Sequence, residues 1–285
     1  MNYHKFGLHL VLFLGFGVWA LVMFSPNACW AADLPKPLSY WRLDESSQPY
    51  KDFSNNNDGA CIEENFDFCP ERVSGIIDRA QLFDGVSEGL DIPGDSFNWS
   101  STDSFSISFW MQRPDPPPPE GFINNEVIVG REDRVNKLLH WWVGVQQGTG
   151  GARFVLIDSS GFGNNENYFL LSSKILADGE WHHVVAVRDA DQSKNLLYVD
   201  GILEDFVSIS YKSDFASTSA KLNIGYLNAK LGRNPDPENA YYYSGTLDDV
   251  RIYTGALSET EIGDLFRLRP RRNMPWVPGI LLEEN

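Results

Sequence analysis

Residues 246–253, Thr-Leu-Asp-Asp-Val-Arg-Ile-Tyr, constrain the fold more than any other stretch: β-branched and aromatic side chains gathered around two carboxylates. Strict alternation places Leu247, Asp249, Arg251 and Tyr253 on one side of a strand and Asp248, Val250 and Ile252 on the other. The second side is the more apolar, so Asp248 is expected to face inward. A carboxylate there needs a hydrogen-bond network or a metal, because an unpaired buried charge is strongly destabilising. The strand runs into a helix with a marked start. Ser258 is its N-cap, Glu261 completes a capping box, and Leu257 can staple onto Ile262. Ile262, Leu265 and Phe266 then form one apolar stripe at helical spacing.

The rest of the chain reads as short strands separated by turns. Residues 38–44 (L-S-Y-W-R-L-D) form a first strand that meets a polar cluster, D-F-S-N-N-N-D-G, at 52–59. Residues 80–85 (A-Q-L-F-D-G) end in an Asp-Gly turn. Residues 104–111 alternate Phe105, Ile107, Phe109 and Met111 inward against Ser106, Ser108 and Trp110. The five prolines of residues 113–121 make a surface loop that cannot sit inside a sheet. Further strands are expected at 126–129, 140–145, 153–157 and 168–171. Trp141 and Trp142 are adjacent, so one belongs to the core and the other faces solvent or a groove. The polar, Gly-rich loop at 159–167 carries one aromatic ring, Phe162. At 178–188 (D-G-E-W-H-H-V-V-A-V-R) a turn launches a strand with Trp181, His183, Val185 and Val187 on one side. L-Y-V-D-G at 197–201 leads into a hairpin turn, and L-N-I-G at 222–225 is another strand. His182 and His183 point to opposite faces, which favours structural roles over a shared metal ion. This succession predicts an all-β fold, a two-sheet antiparallel jelly-roll sandwich with a short C-terminal helix packed outside.

Six of these stretches, in this order, resemble the laminin-G-like domains of the concanavalin A-like group of lectins and glucanases. They are W-x-L-D-E with its D-x-S-x-N-x-x-G loop; A-x-L-F-D-G; F-S-I-S-x-W; W-H-H-V-V-A-V with L-Y-V-D-G; L-x-I-G; and G-x-L-D-D-V-R-I-Y with A-L-S-x-x-E-I-x-x-L. The resemblance spans residues 38–268 and departs from the family at 113–121, at 158–167 and in a cysteine-bearing loop. It implies that Asp248 meets oxygens of the 52–59 loop on one structural calcium ion. Asp52 and Asp248 are the first ligand candidates, with Asn57 and Asp249 next and backbone carbonyls completing a shell of about six to eight oxygens. The competing account pairs Asp248 with Arg251 or with buried amides. For a lectin-like sandwich, the rings able to stack on a sugar are whichever of Trp141 and Trp142 faces out, Phe162, Tyr241, Tyr242 and Tyr243.

Residues 1–31 read as a secretory signal: a weakly basic start, an apolar run at 8–24, and Cys29 and Ala31 at the small-residue positions of a cleavage site. An uncleaved membrane anchor is the alternative, and Pro26-Asn27-Ala28 makes a poor lipid-attachment box before Cys29. Of three cysteines, cleavage leaves Cys61 and Cys69, which in an exported protein read as a disulfide. Residues 32–268 would then be one jelly-roll domain and 269–285 a tail, docked or disordered. A formal charge of −16 argues against nucleic acid and anionic membranes as partners. It fits a soluble or calcium-using protein that is secreted, periplasmic or on the cell surface, with no membrane span after cleavage.

Two functions of different class remain. A recognition domain would bind a glycan or an extracellular protein. A glycan-cleaving enzyme would need paired carboxylates about 5–5.5 Å apart if retaining. The E-x-D-x-x-E strand of the glucanases is missing, and Glu63, Glu64, Asp67, Glu259 and Glu261 have the wrong spacing. No H-E-x-x-H occurs. The reading is therefore non-catalytic, with a purely structural module of a surface assembly as a third possibility.

Overall fold

The alternation of residues 104–111 is realised in the strand Phe105–Gln112, whose Phe105, Ile107, Phe109 and Met111 all enter the main core. The computed structural model describes residues 34–113, 125–133, 135–146, 148–161, 169–227 and 241–268. The signal segment, most of the proline-rich loop, Phe162 and the tail 269–285 lie outside the described residues.

Strands are numbered in chain order, and two antiparallel sheets contain them. The first runs β13 (Ile202–Ser208), β12 (Lys194–Val199), β11 (Trp181–Asp189), β6 (Phe105–Gln112), β15 (Ser244–Tyr253), β4 (Arg79–Asp84) and β3 (Glu71–Ser74). The short β1 (Ser39–Trp41) also pairs with β15. The second runs β10 (Phe169–Ile175), β9 (Gly151–Asp158), β8 (Leu139–Val145), β7 (Glu126–Asp133), β14 (Leu222–Ile224), β5 (Leu90–Ile92) and β2 (Ala60–Cys61). Inward residues of both sheets meet in one core, among them Trp41, Phe83, Trp141, Phe154, Val184, Leu222 and Ile252. This is the predicted jelly-roll sandwich. The first strand is shorter than expected because the chain turns at Leu43, where φ is +62°.

The last strand departs from simple alternation. A β-bulge lies between Asp248 and Arg251, with Asp249 at a φ of +57°. The extra residue shifts the phase, so Leu247, Val250 and Ile252 all reach the core. Asp248 therefore does not share the face of Val250 and Ile252. It is buried elsewhere, against the turn that carries Ile76 and Ile77.

The helix α1 (Glu259–Arg267) starts with the expected capping box. Its Ile262 and Leu265 pack on Val185, Val187, Tyr198, Tyr253 and Leu257 on the outside of the first sheet. Phe266 stacks on Trp110 with ring centres 5.7 Å apart. Cys61 and Cys69 form the expected disulfide, their Cα atoms 5.1 Å apart. It joins β2, at one edge of the second sheet, to the segment entering β3, at one edge of the first.

Candidate functional site

The outer face of the second sheet gathers polar and aromatic side chains, while the outer face of the first is covered in part by α1. On β8 the odd residues Leu139, Trp141, Val143 and Val145 enter the core, which turns His140, Trp142 and Gly144 outward. On β9 the same logic turns out Arg153, Val155 and Ile157. Trp142, Val155, Val127 and Leu227 form a small apolar cluster of their own, with Ile157 and Tyr241 against it.

A polar relay runs along this cluster. Trp142 donates from Nε1 to His140 Nε2 at 3.2 Å. An indole nitrogen only donates, so that imidazole nitrogen carries no proton and the ring's hydrogen sits on Nδ1. Nδ1 lies 3.1 Å from Glu132 Oε1, and the Glu132 side chain is 1% exposed. Glu132 and His140 are direct cross-strand partners.

Arg153 stands at the rim. Its guanidinium carbon lies 5.4 Å from the centre of the Trp142 ring and 4.6 Å from that of Phe169. Phe169 is 41% exposed. Nη1 donates to Gln146 Oε1 at 2.8 Å and to Asn125 Oδ1 at 3.4 Å. The neighbour of Arg153 on β8 is Gly144, so no side chain competes for that space. A Cβ on Gly144 would come within 2.0 Å of the Glu126 carbonyl oxygen, which explains the glycine. Burial lowers the Arg153 pKa, with Tyr241 acting in the opposite direction.

Further along the same face, Asp91 accepts from Lys221 at 2.7 Å, from Asn223 at 3.0 Å and from the Tyr226 hydroxyl. Tyr242 stacks on Tyr226 with centroids 5.7 Å apart.

The candidate aromatic residues thus separate. Trp141 lies in the main core, and so does Tyr243, whose hydroxyl donates to the Gln112 carbonyl at 3.1 Å. Neither can meet a ligand without unfolding the sandwich. Trp142 does take the opposite face from Trp141, but at 4% exposure it faces its own apolar cluster rather than solvent. Tyr241 and Tyr242 are half-buried at the surface. Phe162 lies outside the described residues. Arg153, Phe169 and Glu132 were not among the sequence candidates. A charged residue inside a strand-like run, at 153, was the available signal.

The four metal candidates fall into separate networks. Asp52 accepts from the backbone of Tyr40, Ser54, Asn55 and Asn57 and so ties its own turn. Asn57 bonds Ser39 and Ser96. Asp249 is held by the Tyr40 hydroxyl and by Arg251 Nη2, the latter at 2.8 Å. Asp248 meets none of these. Its Oδ2 accepts from the backbone of Ile76 and Ile77, both at 2.9 Å, while its buried Oδ1 has no hydrogen-bond partner. Burial pushes its pKa up to about 8, with Asp249 and Asp44 adding repulsion against the two backbone donors. An orphaned oxygen on a buried carboxylate with a second carboxylate nearby fits a hard cation. The 52–59 loop does not supply the other ligands. Among the described residues no group of three or more His, Cys, Asp or Glu side chains is placed to hold a metal, so carbonyl oxygens would have to complete a shell.

Residues 85–89 spell G-x-S-x-G, the pattern of a hydrolase nucleophile elbow. Here they form the turn after β4, in which Ser87 Oγ donates to Asp84 Oδ2 at 3.0 Å. That serine is paired with a carboxylate rather than an imidazole.

Residues 84–263 match the family described as the Concanavalin A-like lectin/glucanases superfamily. Non-toxic nonhemagglutinin type E of Clostridium botulinum is 27% identical over 160 residues, covering 54% of this chain and 12% of that protein. The chain therefore spans a small fraction of the length of the curated relatives it matches. Among solved structures, the binding domain of Paraclostridial Mosquitocidal Protein 1 matches with a TM-score of 0.61 at 17% identity, over 81% of this chain and 52% of that one. Domain 4 of AbnA, a GH43 extracellular arabinanase from Geobacillus stearothermophilus in complex with arabinotriose, matches with a TM-score of 0.56 at 19% identity, over 81% of this chain and 98% of that one. At such identities the two structures share the fold alone.

Proposed function

Because the chain belongs to the concanavalin A-like lectin/glucanase superfamily, we propose that it is an exported, non-catalytic module that binds carbohydrate on the outer face of its second sheet. The observation that carries this reading is the rim around Arg153 and Phe169. A half-exposed aromatic ring and a guanidinium stand side by side on a rigid strand pair, with Tyr241 on the adjoining cluster. Stacking by an aromatic face with a few fixed polar groups is what sugar recognition requires. Domain 4 of the arabinanase, whose structure holds arabinotriose, lends the fold a precedent.

Binding is favoured over cleavage by the state of this face's carboxylates. Glu132 faces His140 and is sealed from solvent, and Asp91 is tied by three donors. Neither is presented as a nucleophile or an acid. Export is supported by the signal-like residues 1–31 and by the disulfide. Among the described residues no helix is long and apolar enough to cross a membrane.

A glycan array probed with the protein, with and without calcium, tests the function. Binding to a defined set of glycans that is lost in a folded Phe169→Ala variant is the expected result. Capture of a surface protein with no glycan bound would replace it with an interaction module.

One structural calcium ion at Asp248, with Asp249 and Asp44 as the carboxylates acting on it, belongs to the same proposal. Calcium should raise the melting temperature of the chelator-treated protein, and Asp248→Asn should abolish that response. An unchanged melting temperature in protein first shown to be calcium-free would remove the ion from the account.

A further inference from the structure

We infer that the ligand of this face carries a carboxylate read by Arg153, so that the site takes an acidic sugar, a hexuronic or sialic acid unit, in preference to a neutral one. The inference rests on the carbohydrate-binding reading above and narrows it to a ligand class.

The chain holds 39 Asp and Glu against 23 Lys and Arg. In so acidic a protein a half-buried arginine would ordinarily find a carboxylate. Arg113 does, giving Nε and Nη2 to the two oxygens of Glu126 at 3.1 and 2.9 Å. Arg251 finds Asp249. Arg131 and Arg188 do without: neutral oxygens take up every nitrogen of Arg131, and Arg188, 2% exposed, is enclosed with its Nε unpartnered. Arg131 donates to the carbonyls of Phe97, Ser217 and Ala220 and to Asn98, and Arg188 to the carbonyls of Lys194 and Ile209 and to Asn195.

Arg153 bonds as Arg188 does but differs from all four in place: they are buried, and it is partly exposed at the rim. Its two hydrogen bonds both leave from Nη1 and both end on neutral amide oxygens. Among the described residues no carboxylate lies within ion-pair distance of it. Nε is buried without a partner, and Nη2, which makes no hydrogen bond either, is not sealed from solvent. These two nitrogens form one edge of the guanidinium fork, the edge that Arg113 gives to Glu126. A carboxylate bound to that edge accepts two parallel hydrogen bonds and supplies the missing charge. One of its oxygens meets Nη2, where solvent reaches the fork, and the other lies toward Nε.

The surroundings add the sugar. Phe169 lies over the guanidinium on one side and is 41% exposed, so it offers surface for a pyranose ring whose carboxylate points at Arg153. Hexuronic and sialic acids both attach the carboxylate directly to a ring carbon, which sets charge and ring at the required short separation. A neutral sugar would stack on Phe169 and leave the Nε–Nη2 edge unsatisfied.

Titration calorimetry on the folded protein tests this with matched pairs: tetragalacturonate against its carboxyl-reduced counterpart, and sialyllactose against lactose. At least one acidic member should bind ten times or more tighter than its neutral partner, and the pair in which this happens identifies the source of the carboxylate. Arg153→Gln should bring the acidic ligand down to the neutral one's affinity. Phe169→Ala should weaken both members of the pair alike. If Arg153→Gln fails to fold, Arg153→Lys keeps charge and stem but not the fork, and should weaken only the acidic ligand, by several-fold. Equal binding of acidic and neutral members would overturn the acidic-sugar inference and leave the carbohydrate reading standing, as would full acidic affinity in a folded Arg153 variant. If none of these saccharides binds, and the array finds no glycan, both readings fall.

Discussion

His182 shows how a residue read as structural acquires a measurable charge role. Nδ1 lies 2.9 Å from Asp200 and Nε2 lies 3.0 Å from Asp178, so both ring nitrogens can donate at once when the imidazole is protonated. Burial alone would lower the His182 pKa, but the hydrogen bonds and charges of Asp200 and Asp178 outweigh it and the net direction is up. A raised histidine contributes stability that is fully present below its unfolded value of about 6.5 and is lost as pH rises through the folded one. The melting temperature should therefore fall by a few degrees, roughly, as the solution moves from mildly acidic to mildly alkaline. His182→Gln should remove that component of the pH profile. At the acid end, burial works against Asp200, yet His182, Lys174 and the His183 amide hold its pKa down to about 2. Its contribution is present above about 3.9 and lost as pH falls toward 2. His183, by contrast, is fully buried at 2.9 Å from Ser108, and burial brings its pKa down to about 3, so it stays neutral throughout. Alternation was enough to separate these two histidines and the two tryptophans. It could not tell that the outward Trp142 would be covered, because the residues that cover it, Val127, Val155 and Leu227, come from distant parts of the chain. The same limit hid Glu132 beside His140 and left Arg153 looking like an ordinary strand residue.

At the scale of elements, legibility followed the completeness of local signals. The helix α1 was read in full because its capping box and apolar stripe lie within ten residues of one another, and Ser258→Ala should lower stability by about 1 kcal/mol in a denaturant titration. The β15 bulge was not legible, since it is set by two partners at once: β6 on one side and the turn holding Asp248 on the other. The short strands β2, β3 and β5 also went unread. With two to four residues each, they have too little alternation to register, and they exist because their neighbours offer backbone partners. One pair of elements carries a protective device. β10 lies at the edge of the second sheet, and its amides at Leu171 and Ser173 donate to Asp205 and Glu204 of β13, at 3.0 and 3.1 Å. These carboxylates occupy donors that would otherwise invite another strand, beside the exposed Phe169, Leu171 and Ile175. The double variant Glu204→Ala, Asp205→Ala should remain folded but self-associate at concentrations where the parent is monodisperse, as read by sedimentation velocity. An unchanged distribution would show that these side chains do not guard the edge.

Over the whole molecule, the two sheets are held together at both open sides of the sandwich as well as through the core. On the β10–β13 side the links are polar: the two edge contacts and the Lys174–Asp200 ion pair at 2.5 Å, which runs from the second sheet to the β12–β13 hairpin of the first. On the other side, where β2 and β3 are the edge strands, the link is covalent, because Cys61 belongs to β2 and only Pro70 separates Cys69 from β3. Its loop is short, with a sequence separation of 8, so the entropy it removes from the unfolded chain is modest, about 2–3 kcal/mol. Loss of the bond should lower the melting temperature of a domain of this size by about 4–12 °C. The sheets themselves do not depend on it, because their interior strands share an apolar core to which the cysteine loop contributes only Cys61, with Cys69 packed against its margin. Far-ultraviolet circular dichroism at room temperature should therefore be the same for the oxidised protein and a Cys61→Ala, Cys69→Ala variant, while their thermal transitions separate. Collapse of the β-sheet signal in the variant at room temperature would mean that the loop organises the fold rather than fastening its edge. The polar side offers the matching control: Lys174→Met should lower the transition through the loss of one Asp200 partner and should do so by the same amount in the oxidised protein and in the cysteine-free variant, since the two fastenings lie at opposite edges and share no residue.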